Sequence, residues 1–373
     1  MRLRPLFVSL LFFSLLFFLF LPSSSARQTQ PQFSWAPVPF DANEPATSGL
    51  KVLTNPQERS AALQLLDRAR QNYTFYGPHT PAFTMKLSFT SNGPLQYEGQ
   101  GTMQETWISY GADRWSARIG SAETLRVFAG RHTWSDNPAA PIPLRVQMAR
   151  SALLWPVVNP RPRVMLRAGA ATVEGKAAMC ILTSESMPVV DQPRHWLEKE
   201  YCVDPASGNL LLWSEAPGHY VLYDYTTSTE FQGHVVANDI SIYEAGSRVI
   251  KIHLDSLQDA SGVDPQSLRP TAQLVAKGPS FGLRPPVKFP MRVPASQGTV
   301  INLIQPVFVH ATIDKDGHAI EAEALQNSNP ELTSRALDLV KNSNQGEAEA
   351  QREAFIDVEF LQGNQSAQIV AAH

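Results

Sequence analysis

Between residues 83 and 89 the apolar side chains fall on every second position. Phe83, Met85, Leu87 and Phe89 alternate with Thr84, Lys86 and Ser88. That period places one side of an extended chain in a core and the other in water, so it demands a β-strand with one buried face. Strand-like stretches then recur in quick succession at residues 97–108, 113–119, 124–129 and 131–134, separated by turns containing Gly and Asn. More follow at residues 163–167, 178–183, 196–203, 210–213, 219–225, 240–243 and 248–255, with the turn Asp204-Pro205-Ala206-Ser207-Gly208 joining two of them. A chain with this many short, closely spaced strands must build a large antiparallel sheet.

Two segments interrupt the pattern with a helical period. Asn55-Pro56 introduces a helix in which Ala62, Leu63, Leu66, Ala69 and Tyr73 share a face. Leu144, Val146, Met148, Ala149, Ala152, Leu153 and Trp155 mark a second helix, stopped by Pro156. One helix ahead of the strands and one inserted among them imply a strongly curved sheet whose inner face the helices cover. The fold class expected is therefore α+β.

The N-terminus reads as an export signal. Arg2 and Arg4 precede an apolar run over residues 6–21, Pro22 breaks it, and Ser24-Ser25-Ala26 supplies the small residues a signal peptidase needs. Cleavage after residue 26 gives a periplasmic chain; the alternative is an uncleaved inner-membrane anchor formed by residues 6–21. Residues 27–49 are rich in Gln, Pro, Ser and Ala and read as a flexible leader. The net charge is −3, and loss of the two signal arginines makes it −5, so no basic footprint for nucleic acid exists.

Cys180 and Cys202 are the only cysteines, 22 residues apart, and in an oxidising compartment such a pair points to a disulfide. Nine histidines without a ligand spacing argue against metal, and no cofactor is expected. Catalytic signatures are missing as well: there is no Gly-x-Ser-x-Gly and no His-Glu-x-x-His, Ser48-Gly49-Leu50-Lys51 stands without companion motifs, and residues 169–177 have the wrong spacing for a phosphate loop. Glu198 and Glu200 lie on one side of an expected strand, where two like charges read as a solvated face. Binding rather than catalysis is the expectation, with an envelope hydrolase the lowest-ranked alternative.

Over residues 50–274 the pattern resembles the LolA-like envelope lipoprotein carriers and the related sigma-factor regulators of the RseB type. The resembling residues are Leu65-Leu66-Asp67-Arg68-Ala69, Tyr97-Glu98-Gly99-Gln100-Gly101-Thr102 leading into Glu105-Thr106-Trp107, and Trp196-Leu197-Glu198-Lys199-Glu200-Tyr201-Cys202-Val203-Asp204. The resemblance implies a half-barrel with an apolar hollow that takes lipid or lipoprotein acyl chains. Phe83, Met85, Leu87, Trp107, Trp115, Leu153, Leu154 and Trp155 are then the candidates for its lining, the alternative being that they fill a solid core.

Residues 275–296 carry five prolines and read as a linker. Beyond it, a strand at residues 307–313, the turn Asp314-Lys315-Asp316-Gly317, a returning strand at 319–325, a helix from Pro330 to about residue 342 and a strand at 354–360 follow in β-β-α-β order. The turn and the Ser-Asn-Pro-Glu-Leu helix start resemble the C-terminal domain of TonB-type proteins over residues 297–362, leaving 363–373 as a tail. The aromatic-Pro stretch usual in that family before the last strand is replaced here by residues 344–352, and the 6–21 run holds only Ser9 and Ser14 as polar groups, so energy transduction is not implied. The resemblance implies capture of an envelope protein by strand addition, with Phe355, Ile356, Asp357, Val358, Glu359 and Phe360 as the receiving edge.

Overall fold

The computed structural model describes residues 44–280 and 303–372, apart from the stretches 76–79, 93–98, 139–141, 158–163, 185–193, 195–197, 325–329, 348–350 and 362–366 and positions 46, 74, 155, 217 and 245. The expected signal, the leader up to residue 43 and most of the linker lie outside the described residues.

The first sheet contains β1 (Ser48–Val52), β2 (Phe83–Ser91), β3 (Gly99–Ser109), β4 (Ala112–Ile119), β5 (Ala122–Ala129), β6 (His132–Ser135) and β7 (Met165–Val173). It continues with β8 (Lys176–Ser184), β9 (Lys199–Val203), β10 (Leu210–Ala216), β11 (His219–Phe231), β12 (His234–Glu244), β13 (Ser247–Asp259) and β14 (Pro279–Ser280). The helices of this part are α1 (Pro56–Tyr73), α2 (Leu144–Leu154) and the short α3 (Ala272–Ala276). All fourteen strands form one antiparallel sheet in the order β1-β7-β8-β9-β10-β11-β12-β13-β2-β3-β4-β5-β6-β14. Among the described residues its end strands, β1 and β14, do not pair with each other, so the sheet stays open.

The order has a simple origin. Tight turns join most neighbours, and each lets the next strand fold back on the last. The longest-range join in the sheet is β13 with β2, where Ile252 faces Phe89 and Leu254 faces Leu87. It brings residues some 165 apart in the chain side by side, and without it the two halves of the sheet would be separate.

Two differences from the sequence reading concern the ends of this sheet. Residues 48–52, placed partly in the leader, form β1 and pair with β7. After β13, α3 and β14 lie against β6, with Ser280 opposite Thr133, so residues 275–280, the start of the expected linker, still belong to this sheet. Leu268 and Leu274 are buried there, and this burial holds the segment down.

The second sheet holds β15 (Leu303–Ile313), β16 (Ala319–Ala324), β17 (Arg352–Leu361) and β18 (Ala367–Ala372), with α4 (Pro330–Asn342) against it. The Asp314 carboxylate accepts from the backbone N–H groups of Asp316 and His318, and Gly317 sits at φ 90°, a value that excludes most side chains. This closes the hairpin. Leu332, Ala336 and Val340 of α4 pack on Val307, Val309, Ala311, Ile356 and Val358, a small separate core.

The strand order β16-β15-β17-β18 corrects one expectation. The segment 355–360 lies in β17, whose backbone pairs with β15 on one side and with β18 on the other. It is an interior strand, so its ladder groups are already satisfied and it offers no free edge. The reason is β18, which the composition of residues 363–373 does not announce. The outer strands of this sheet are β16 and β18.

Candidate functional site

One face of the first sheet is apolar almost throughout, and α1 and α2 lie on it. Inward positions of β2, β3 and β4 supply Phe83, Met85, Leu87, Phe89, Met103, Trp107 and Trp115, and the neighbouring strands add Ile240, Ile242, Ile250, Ile252 and Leu254. Helix α2 brings Val146, Met148, Ala149, Ala152, Leu153 and Leu154 to the same cluster. Seven of the eight residues expected to line a hollow therefore come together. Each is at most 2% exposed, so their side chains contact one another rather than open space. Trp155 lies outside the described residues.

Helix α2 is not held by apolar contact alone. Its Arg150 donates from Nε and Nη2 to the Glu105 carboxylate of β3 at 2.8 and 2.6 Å, a two-pronged ion pair with both partners buried. The Asp113 carboxylate of β4 stands 4.0 Å from the same guanidinium, which also lies over the Trp115 ring at 5.2 Å. The Tyr223 hydroxyl donates to the Ala152 carbonyl at 2.8 Å. At the other end of the helix, Arg145 Nη1 donates to Glu244 Oε2 of β12 at 3.2 Å.

Glu244 is the hub of a second group. His310 of β15 places Nδ1 3.1 Å from the same Oε2, and His219 of β11 places Nδ1 3.5 Å from Oε1. Burial works to raise the Glu244 pKa, but the charges of His310 and Arg145 and the hydrogen bonds from the two histidines outweigh it. They hold the carboxyl well below the usual range. Glu323 of β16 is pushed the other way, first by burial and then by the Glu244 charge. Five elements thus meet at one carboxylate: α2, β11, β12, β15 and β16.

Glu105 and Glu244 were not singled out from sequence, yet a signal existed. Glu105 follows Met103 and precedes Trp107 at inward parity, and Glu244 follows Ile240 and Ile242 in the same way. A carboxylate in phase with buried apolar positions needs a buried cation to offset its desolvation. The pairing arginines sit on a helix and share no local pattern with them.

The opposite face of β2–β5 carries a groove of about 620 Å³ lined by Lys86, Thr102, Gln104, Arg114, Ser116 and Asp255 among others. Leu87, Met103, Ala117 and Leu125 also line it, so it mixes polar, charged and apolar groups, unlike the face under α2. Arg118 and Glu123 pair across its rim at 3.7 Å.

Two further groups settle earlier expectations. Cys180 and Cys202 are directly opposed on β8 and β9 and form a disulfide. Glu198 and Glu200 do not face solvent; both are 1% exposed. Glu198 accepts from Arg167 Nη1 at 2.9 Å, and Glu200 pairs with Arg194 at 3.2 Å. Arg194 also binds Glu44 at 2.6 Å and Ser214 Oγ at 2.6 Å, and Gly218 N–H donates to Glu44 at 3.1 Å. The expected solvated pair is a buried ion network tying residue 44 to the outer side of β9 and β10. Burial raises the pKa of Glu44 and Glu200, with Arg194 opposing in each case.

No known family model matches this chain, and no curated protein does. Among solved structures, the chain is similar to the LolA superfamily protein NE2245 from Nitrosomonas europaea, at 11% identity and a TM-score of 0.36, over 53% of this chain and 93% of that one. It is also similar to LprF from Mycobacterium bovis, at 12% identity and a TM-score of 0.23, over 53% of this chain and 93% of that one. Among the described residues no helix is long and apolar enough to cross a membrane.

Proposed function

We propose that this protein is an exported binding and adaptor protein of the bacterial envelope, and that it acts without catalysis. Its first sheet takes a lipid-like or lipoprotein acyl chain on the face now covered by α2, and its second sheet docks an envelope protein along an outer strand. The observation that carries this reading is the way α2 sits. An 11-residue helix, about 16 Å long, covers an apolar sheet surface and is fastened by two buried arginines.

A helix meant only to fill a core gains little from buried arginines. Replacing such ion pairs by apolar side chains is often neutral or stabilising. Charged fasteners, by contrast, make a closed state that is specific yet reversible, since the arginines and carboxylates regain water once the helix lifts. The surface then exposed includes Phe83, Met85, Leu87 and Trp107, which suits a chain of methylenes and not a polar solute. The partners implied are therefore lipid or lipoprotein acyl chains and one envelope protein; no cofactor enters the reading.

The test is to purify the protein from its native envelope, extract it with organic solvent and identify what comes off by mass spectrometry. Acyl lipid or lipoprotein at a stoichiometry near one is expected. Recovery of none, together with no uptake of a fluorescent fatty acid by the purified chain, would overturn it. The second reading, a structural or interaction protein with a solid core, rests on the near-complete burial of the seven wall residues.

A further inference from the structure

The contacts at Glu244 join two parts of the molecule that its sequence separates. One oxygen, Oε2, receives both Arg145 from α2 at 3.2 Å and His310 from the second sheet at 3.1 Å. The three side chains are at most 1% exposed, so each shields the others from water. The charged and titratable groups that face this point are Arg145 of α2, His219 of β11, Glu244 of β12, His310 of β15 and Glu323 of β16.

The same donors raise the question of a metal. Glu244, His310 and Glu323 offer three ligand atoms within 4.8 Å of one another. Arg145, however, already stands on Oε2 with a full positive charge, and a divalent ion beside it would be repelled. The guanidinium fills the role of the cation, and the cluster is a latch.

We infer that the second sheet acts as an autoinhibitory clamp on α2: His310, by holding and dehydrating Glu244, strengthens the Glu244–Arg145 bond that keeps the helix closed, and withdrawal of the second sheet by a docking partner releases it. The physical basis is the medium. An ion pair in a dry site interacts several times more strongly than the same pair in water, and removing His310 admits water to both members. Reciprocity follows by linkage, so loosening α2 must weaken the hold on the second sheet to the same degree. This inference rests on the reading of α2 as a displaceable cover, and it supplies that reading with a control.

Hydrogen exchange of the full-length chain, followed by mass spectrometry of peptides spanning residues 144–154, reads the clamp without any ligand. His310→Ala is expected to speed exchange of α2 at least tenfold while β2–β4 stay as in the parent. His310→Gln, whose amide N–H can still donate to Glu244, is expected to retain most of the protection. Arg145→Met is expected to speed exchange of β15 around residue 310, as reciprocity requires. Where His310→Ala unfolds the second sheet altogether, the clamp is gone and α2 must still be released.

Unchanged α2 exchange in His310→Ala would sink the clamp, whether or not the second sheet stays folded. An acceleration no greater in α2 than in β2–β4 would do the same, because it would mark general destabilisation. Neither result touches the acyl-binding reading, which stands or falls on the lipid extraction.

Discussion

Replacing Arg150 by Met tests the fastening of α2 directly. The substitution keeps an apolar stem of similar length, so α2 loses little packing against Trp115. What it removes is the cation facing Glu105, which is 0% exposed, and Asp113, which is 1% exposed. Breaking a buried ion pair by deleting one partner costs about 3–5 kcal/mol. For a domain of this size each kcal/mol moves the thermal midpoint by roughly 2–4 °C, so a drop of roughly 6–20 °C is expected. The assay is urea unfolding followed by tryptophan fluorescence, with Trp115 beside the substituted position. The double variant Arg150→Met with Glu105→Met removes both charges and should regain most of the loss, giving a coupling energy of about 2–3 kcal/mol in the cycle. A single-variant cost under about 1 kcal/mol, or a coupling near zero, would refute the argument that α2 is pinned by charge in a dry interior.

Three further outcomes follow from particular contacts. Because the folded Glu244 carboxyl is held well below its ordinary value of 4.5, it adds stability that is complete above that pH and is lost as the pH falls below it. Glu244→Gln should therefore flatten the acid limb of the unfolding free energy below pH 4.5, and parallel limbs for the two proteins would contradict this. Opening the Cys180–Cys202 bridge by a double change to Ser should lower stability by about 3 kcal/mol for a 22-residue separation; equal urea midpoints for oxidised and reduced parent would tell against it. Gly101→Ala should cost about 1–3 kcal/mol, because a methyl there would stand 2.2 Å from the ring of Phe89, which is buried on the facing strand; a neutral result in chemical denaturation would mean the ring is free to move.

Local periodicity carried much of the fold. The alternation at residues 83–89 announced β2 and its buried face, and the turn at Asp314 to Gly317 announced the β15–β16 hairpin. Both depend on neighbours a few residues away, which is the range over which a strand's pleat or a glycine's φ acts. The disulfide was legible for another reason, since two cysteines admit a single intramolecular pairing.

What the sequence by itself determined was therefore most of the strands, the helices that interrupt them and the apolar side of β2; β1, β14 and β18 were not among them. Tertiary structure alone decided that β17 is interior, because an edge is defined by the partner that does or does not arrive, and β18 arrives from a stretch with little alternation of its own. It alone decided that Glu198 and Glu200 lie buried, since the arginines that neutralise them, Arg167 and Arg194, come from other segments. The meeting of Arg145, His219 and His310 on Glu244 is of the same kind. Hydrophobic periodicity records how far a position is from water, whereas charge neutralisation inside a protein depends on groups brought together across the whole chain, and no spacing in the sequence encodes that.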